Sequence, residues 1–162
     1  MNLWKRIKSL SPSALFRFGI WFLKNPFFIL PTLRATRRTF KLCDQLFHKD
    51  HNRSNRGNAF RHALWNVLIA QKVFKIARKE EKSVLFTQKT TSLYEKVTQN
   101  SLLDREMDLH NNRMGLQWFR QLFDKNEDKI IQFLQKKTKN AQKVSKIDEI
   151  YSFPDDLVFL TE

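Results

Sequence analysis

Three glycines and four prolines in 162 residues limit what this chain can fold into more than any other feature does. A sheet-rich fold needs turn residues at roughly 8–12-residue intervals, and these are too few to punctuate one. The expected fold is all-α: a single-domain helical bundle of about five to six helices with a basic amphipathic N-terminal region. The length supports one well-buried core and falls short of two ordinary domains. Two regions are expected within it. Residues 1–47 form a basic, aromatic-rich helical stretch, and residues 48–162 form a helical domain that carries a polar site. Cys43, the single cysteine, can form no intramolecular disulfide, which fits a reducing cytoplasm.

The formal charge of +14 is unevenly spread, because residues 1–62 hold thirteen Lys and Arg against two acids, or +11. That third should attract phosphate, on an anionic membrane surface or on nucleic acid. It is also rich in Phe, Leu, Ile and Trp, yet Arg17, Lys24, Pro26 and Pro31 interrupt the apolar run. No small-residue cleavage site follows it, so neither a membrane span nor a signal peptide fits. On a helix Ser13, Arg17 and Lys24 share one side, and Phe16, Ile20 and Leu23 another. Such a helix either lies in a membrane interface, with Trp4 and Trp21 at the headgroup level, or packs into the core with its cations reaching solvent. Under the first reading Arg17, Trp21, Lys24, Arg34, Arg37 and Arg38 meet an anionic bilayer, and the protein sits peripherally on the inner face of the membrane.

Leu33, Thr36, Phe40, Cys43 and Phe47 recur at helical spacing over 32–47, with Arg34, Arg37, Arg38 and Lys41 opposite them. Residues 48–57 read as a loop, with His48 and His51 as surface residues. Further helices are expected over 58–78, 83–99, 102–123 and 126–140, with a break at Asn100 and an extended tail over 153–160 that packs back by its apolar residues. On the first of these, Asn58, His62 and Asn66 are four apart and form a polar stripe flanked by Arg61 and Trp65. On the third, Asp104, Asp108, Asn111, Asn112 and Gly115 are expected on one side. A helical glycine costs about 1 kcal/mol relative to alanine, so Gly115 suggests a close approach of backbone or ligand.

The segments Asn58–Asn66 and Met107–Gly115 resemble an uncharacterised bacterial domain family of flavobacterial type, sometimes attached to polymorphic toxins. That family shows N-A-x-R-H-A-x-W-N, a His-Glu pair, and M-D-L-H-N-N-x-x-G. This chain carries Tyr94-Glu95 in place of the His-Glu pair, which weakens any metal reading because tyrosine replaces an imidazole ligand. The resemblance implies a site and no particular reaction.

His62, Glu95, Asp108 and His110 are the candidate catalytic groups, with Asn58, Arg61, Trp65, Asn66, Asn111 and Asn112 as candidate substrate contacts. Such a set could act as a general acid and base on a phosphoester or acyl bond, with Arg61 holding an anionic oxygen. It could instead hold a divalent metal, a cofactor reading that the spacing supports weakly because no tight motif such as H-E-x-x-H is present. There is no glycine-rich phosphate loop and no G-x-S-x-G elbow, which argues against nucleoside triphosphate hydrolysis and serine esterase chemistry. The expected function is a membrane-surface hydrolase acting on a phosphate-containing lipid or nucleic acid. Two alternatives stand beside it. Arg56 to His62 and Arg105 to His110 match the loose R-x(4–6)-H pattern of HEPN-type ribonucleases, and the polar stripes could be internal structure in a non-enzymatic protein that binds a membrane or an acidic partner.

Overall fold

The computed structural model describes residues 11–97 and 101–161, so the expectations for Trp4 and for the break at Asn100 fall outside it. Among the described residues are seven helices and one pair of short strands. The helices are α1 (Pro12–Leu23), α2 (Ile29–Phe47), α3 (Arg56–Ala77), α4 (Glu80–Val97), α5 (Leu102–Leu122), α6 (Glu127–Lys139) and α7 (Ile147–Tyr151). Strands β1 (Gln142–Lys143) and β2 (Val158–Phe159) pair in parallel, Gln142 opposite Val158 and Lys143 opposite Phe159.

Helix α3 is the axis of the molecule. Gly57, Ala59, Ala63 and Ala70 let neighbours approach it closely, while Phe60, Leu64, Val67, Ile69 and Val73 fill the space between, all of them buried. A helix buried on nearly every face belongs at the centre of a bundle, and α2, α4, α5 and α6 surround this one. Full burial of an aromatic such as Phe60 contributes roughly 2–3 kcal/mol. Helix α3 begins earlier than the sequence suggests, because Asn55 is its cap: Oδ1 accepts the Asn58 amide at 3.2 Å. It ends at Arg78, which takes the left-handed conformation at φ 53° and donates its amide to Phe74.

Pro31 does not break the chain, because it sits in the first turn of α2, where its missing N–H has no helical partner to lose. The buried face of α2 runs through Thr32, Ala35, Thr36, Thr39, Leu42 and Cys43. That of α4 runs through Ser83, Phe86, Thr87, Thr90, Thr91 and Glu95. Helix α1, capped by Ser11, leans on α4 by one edge: Trp21 stacks on Phe86 at 5.5 Å and donates its indole N–H to Thr90 Oγ1 at 2.9 Å. Its other edge is open, with Phe16 70% and Leu23 80% exposed, and Phe27 just after the helix 79% exposed.

The tail packs back as expected and is pinned twice. Asn111 of α5 donates to the Val158 carbonyl at 2.9 Å and accepts the Val158 amide at 3.0 Å. Leu160 and Thr161 donate their amides to the Ser54 carbonyl, in the loop before α3.

Candidate functional site

Positions 62 and 66 of α3, 91 and 95 of α4, and 108 and 112 of α5 each lie four apart, so each helix turns a pair of polar groups toward the same interior point. Helix α5 can come this close because of Gly115: a β-carbon there would stand 2.9 Å from Ala63 Cα, inside any tolerable contact. The imidazole of His62 is at the centre. Nδ1 lies 3.0 Å from Asn112 Oδ1 and 3.4 Å from Glu95 Oε1; Nε2 lies 3.2 Å from Asp108 Oδ1. Asn112 ties the three helices together. Its Oδ1 accepts from Asn66 at 2.6 Å and its Nδ2 donates to Glu95 Oε1 at 3.1 Å. Asn66 in turn donates to the His62 carbonyl and accepts from Thr91 at 3.1 Å. His62, Asn66, Glu95, Asp108 and Asn112 are all buried.

The contacts assign the tautomer of His62. Arg61 Nη2 lies 2.9 Å from Nε2, and a guanidinium can only donate, so Nε2 presents its lone pair while Nδ1 carries the proton toward Asn112 and Glu95. Should Nε2 gain a proton, Asp108 Oδ1 is in reach to accept it in a hydrogen bond. Both nitrogens of the charged ring would then face carboxylates, an arrangement suited to a general base. Arg61 is itself held by the His51 carbonyl, by Asn58 Oδ1 at 3.3 Å and by the Phe40 ring at 6.0 Å.

His62, Glu95 and Asp108 each offer one donor atom within 4.8 Å of the others, the residue types a divalent ion uses. The occupied ring nitrogens oppose an ion there. The guanidinium of Arg61 is already on the bare nitrogen, and the other nitrogen is turned to Asn112. The residues fit proton transfer better than they fit a resident cation.

Two expected members stand elsewhere. His110 donates from Nε2 to the Asp156 carbonyl at 2.8 Å and accepts from Arg113 at 3.2 Å, while Asn111 clasps Val158. Both hold the tail against α5 and neither reaches His62. Burial pushes the His110 imidazole below its ordinary value, with the Asp156 carbonyl opposing the shift. Asp104 likewise turns to the loop, where Ser54 donates to it. His51 is not on the surface as expected: it is fully buried and paired with Asp44 at 2.8 Å, and burial also lowers its pKa. His48 is exposed. Among the expected membrane contacts, Arg17, Lys24, Arg34 and Arg37 are exposed, whereas Trp21 packs on Phe86 and Arg38 donates to both carboxylate oxygens of Glu127. The arginines of the two R-x(4–6)-H matches have partners other than the histidine, with Arg56 4.2 Å over the Phe159 ring and Arg105 3.7 Å from Glu106.

The sequence reading missed the structural role of Thr36 and Thr91. Thr36 Oγ1 accepts the Trp65 indole N–H at 2.9 Å, which sets that ring edge-on to both His62 and Tyr94. A cavity of about 230 Å³ also lies between α1, α2, α3 and α4, lined by Phe18, Phe22, Leu33 and Phe40 together with Arg61, His62, Trp65 and Tyr94. No periodicity announces such a space, because its walls come from four separate helices.

No curated protein and no solved structure matches this chain. A family model does match, over residues 19–142, a span that takes in both polar stripes, the Tyr94-Glu95 pair and most of the cavity wall. The chain belongs to the family described as Domain of unknown function (DUF6973).

Proposed function

We propose that this protein is a hydrolase that works at an anionic membrane surface on a phosphate-containing substrate. One observation carries the reading: Arg61 and His62 both line one cavity and meet at His62 Nε2, with Glu95, Asp108 and Asn112 around the ring. Arg61 binds a phosphate oxygen. With Arg61 drawn from Nε2 onto the phosphate, His62 Nε2 takes a proton from water as the water oxygen attacks phosphorus; the bond to the leaving alcohol breaks, and the imidazolium returns the proton to that alcohol oxygen. Glu95 and Asn112 hold the ring, and Asp108 accepts a hydrogen bond from its charged form.

The exposed Phe16, Ile20 and Leu23 beside Arg17 and Lys24 support docking on the inner, cytoplasmic leaflet. No described helix is long and apolar enough to cross a membrane.

The test is a screen of purified protein on anionic phospholipid vesicles and on RNA, with and without chelator, beside His62→Gln. Lipid turnover that survives chelation, is lost in His62→Gln and weakens with Arg17→Glu and Lys24→Glu is the expected result. Turnover of RNA alone would favour the ribonuclease alternative, and loss with chelator would return the metal. A His62→Gln protein that unfolds, with no turnover by the parent, would leave the buried polar cluster as internal structure.

A further inference from the structure

We infer that the cavity between α1 and the α2–α3–α4 face is the seat of one alkyl chain, and that the ligand is a single-chain amphiphile with an anionic phosphate head. The inference rests on the reading of Arg61 and His62 as a phosphate site, and it adds what that reading lacks, the apolar half of the substrate.

The argument begins with four threonines. Thr32, Thr36, Thr39 and Thr90 all line the cavity, and hydroxyls there would normally make it wet. Each instead donates its hydroxyl to the carbonyl four residues earlier, on Phe28, Thr32, Ala35 and Phe86 at 2.7 to 3.0 Å. Two of them also accept an indole N–H, Thr36 from Trp65 and Thr90 from Trp21. With their oxygens committed, the threonines offer the cavity their methyl groups. A space lined this way gives a water molecule few of the partners it needs, whereas hydrocarbon needs none.

Size and charge narrow the ligand. At about 230 Å³ the cavity has room for one chain rather than two. Among the groups lining it, Arg61 carries a fixed charge, while Glu95 and Asp108 contact His62 from outside the wall, so the head that follows the chain is an anion. Leu15 lines the cavity and is 43% exposed, which joins the space to the open apolar edge of α1, where Phe16 and Leu23 face outward. A chain leaving a bilayer would enter along that edge.

The experiment titrates the 162-residue chain with dodecyl phosphate below its aggregation concentration and follows tryptophan fluorescence, since Trp21 contacts the cavity wall and Trp65 lines it. Inorganic phosphate is the control for the head alone and dodecanol for the chain alone. Saturable binding of dodecyl phosphate, stronger than either control, is expected. Thr39→Leu, which fills part of the space with a larger apolar side chain, should weaken it about tenfold, or 1.4 kcal/mol. Leu33→Phe does the same from a partly exposed position if Thr39→Leu folds poorly. The same amphiphile presented in vesicles separates the two sources, since capture from vesicles marks delivery by a bilayer and capture from solution alone marks a soluble ligand; either supports the chain site. No saturable binding, or binding unchanged by both filling variants, overturns the inference. Chain binding without turnover would keep it and discard the hydrolase, while turnover of a soluble phosphodiester without chain binding would do the reverse.

Discussion

His110 is the most instructive single residue, because its sequence neighbours make it look catalytic and its contacts make it structural. Both ring nitrogens are satisfied only while it is neutral, donating to the Asp156 carbonyl and accepting from Arg113. His51 is buried as well, with its Nε2 donating to Asp44. Burial lowers both imidazoles from the ordinary value of 6.5, so the folded chain resists protons that the unfolded chain accepts. Stability is therefore full above pH 6.5 and falls as pH drops from 6.5 through the depressed folded values. Urea midpoints at about pH 7.5 and 5.5 should show the loss, and His110→Gln, which can still donate to Asp156, should flatten it. A midpoint that rises on acidification would contradict this account. The separation of His110 from the site was available in the sequence: residues two apart on a helix face opposite sides, so Asp108 and His110 could not both meet His62. Spacing of four, which links Asp108 to Asn112 and His62 to Asn66, carried the correct grouping. Asn111 is three residues from Asp108 and falls on the flank where β2 lies, a neighbour that only the tertiary fold supplies.

At the scale of elements, the site depends on how near α5 comes to α3. Gly115 against Ala63 sets that distance, and an added methyl would meet the Ala63 backbone. Gly115→Ala should cost about 1–3 kcal/mol from overpacking, despite the better helix propensity of alanine. It should also lengthen the His62 contacts to Asn112 and Asp108, so activity or ligand binding falls in a protein that still folds. Circular dichroism melts beside a binding titration would check both, and a stabilised variant with an unchanged site would refute the claim. Helix positions were legible to within about three residues because apolar periodicity marks them well. Caps were less so: Asn55 and Asn58 are equally good cap types, and only the chain's entry direction chooses between them. Helix α7, five residues long, and the β1–β2 pair are too short to leave a periodic signal.

At the scale of the molecule, the two halves of the charge distribution do different work. The +11 of residues 1–62 includes Arg61, buried beside His62, and Arg38, committed to Glu127, so the cations presented outward are fewer than the sum suggests. The threonine-walled space has a consequence in mechanical terms. Unfolding abolishes an internal void, so the system shrinks, and hydrostatic pressure favours the smaller state. Folded proteins contract by on the order of 20–100 mL/mol on unfolding, in proportion to the void they contain. A methyl-walled cavity of about 230 Å³ adds to that void as far as it excludes water, and should enlarge the contraction. High-pressure fluorescence should give an unfolding volume that shrinks in magnitude in Thr39→Leu, and an equal volume in both proteins would mean the space collapses or floods. The bundle is compressible along one seam, between α1 and α2–α4, and that seam is where it should first yield.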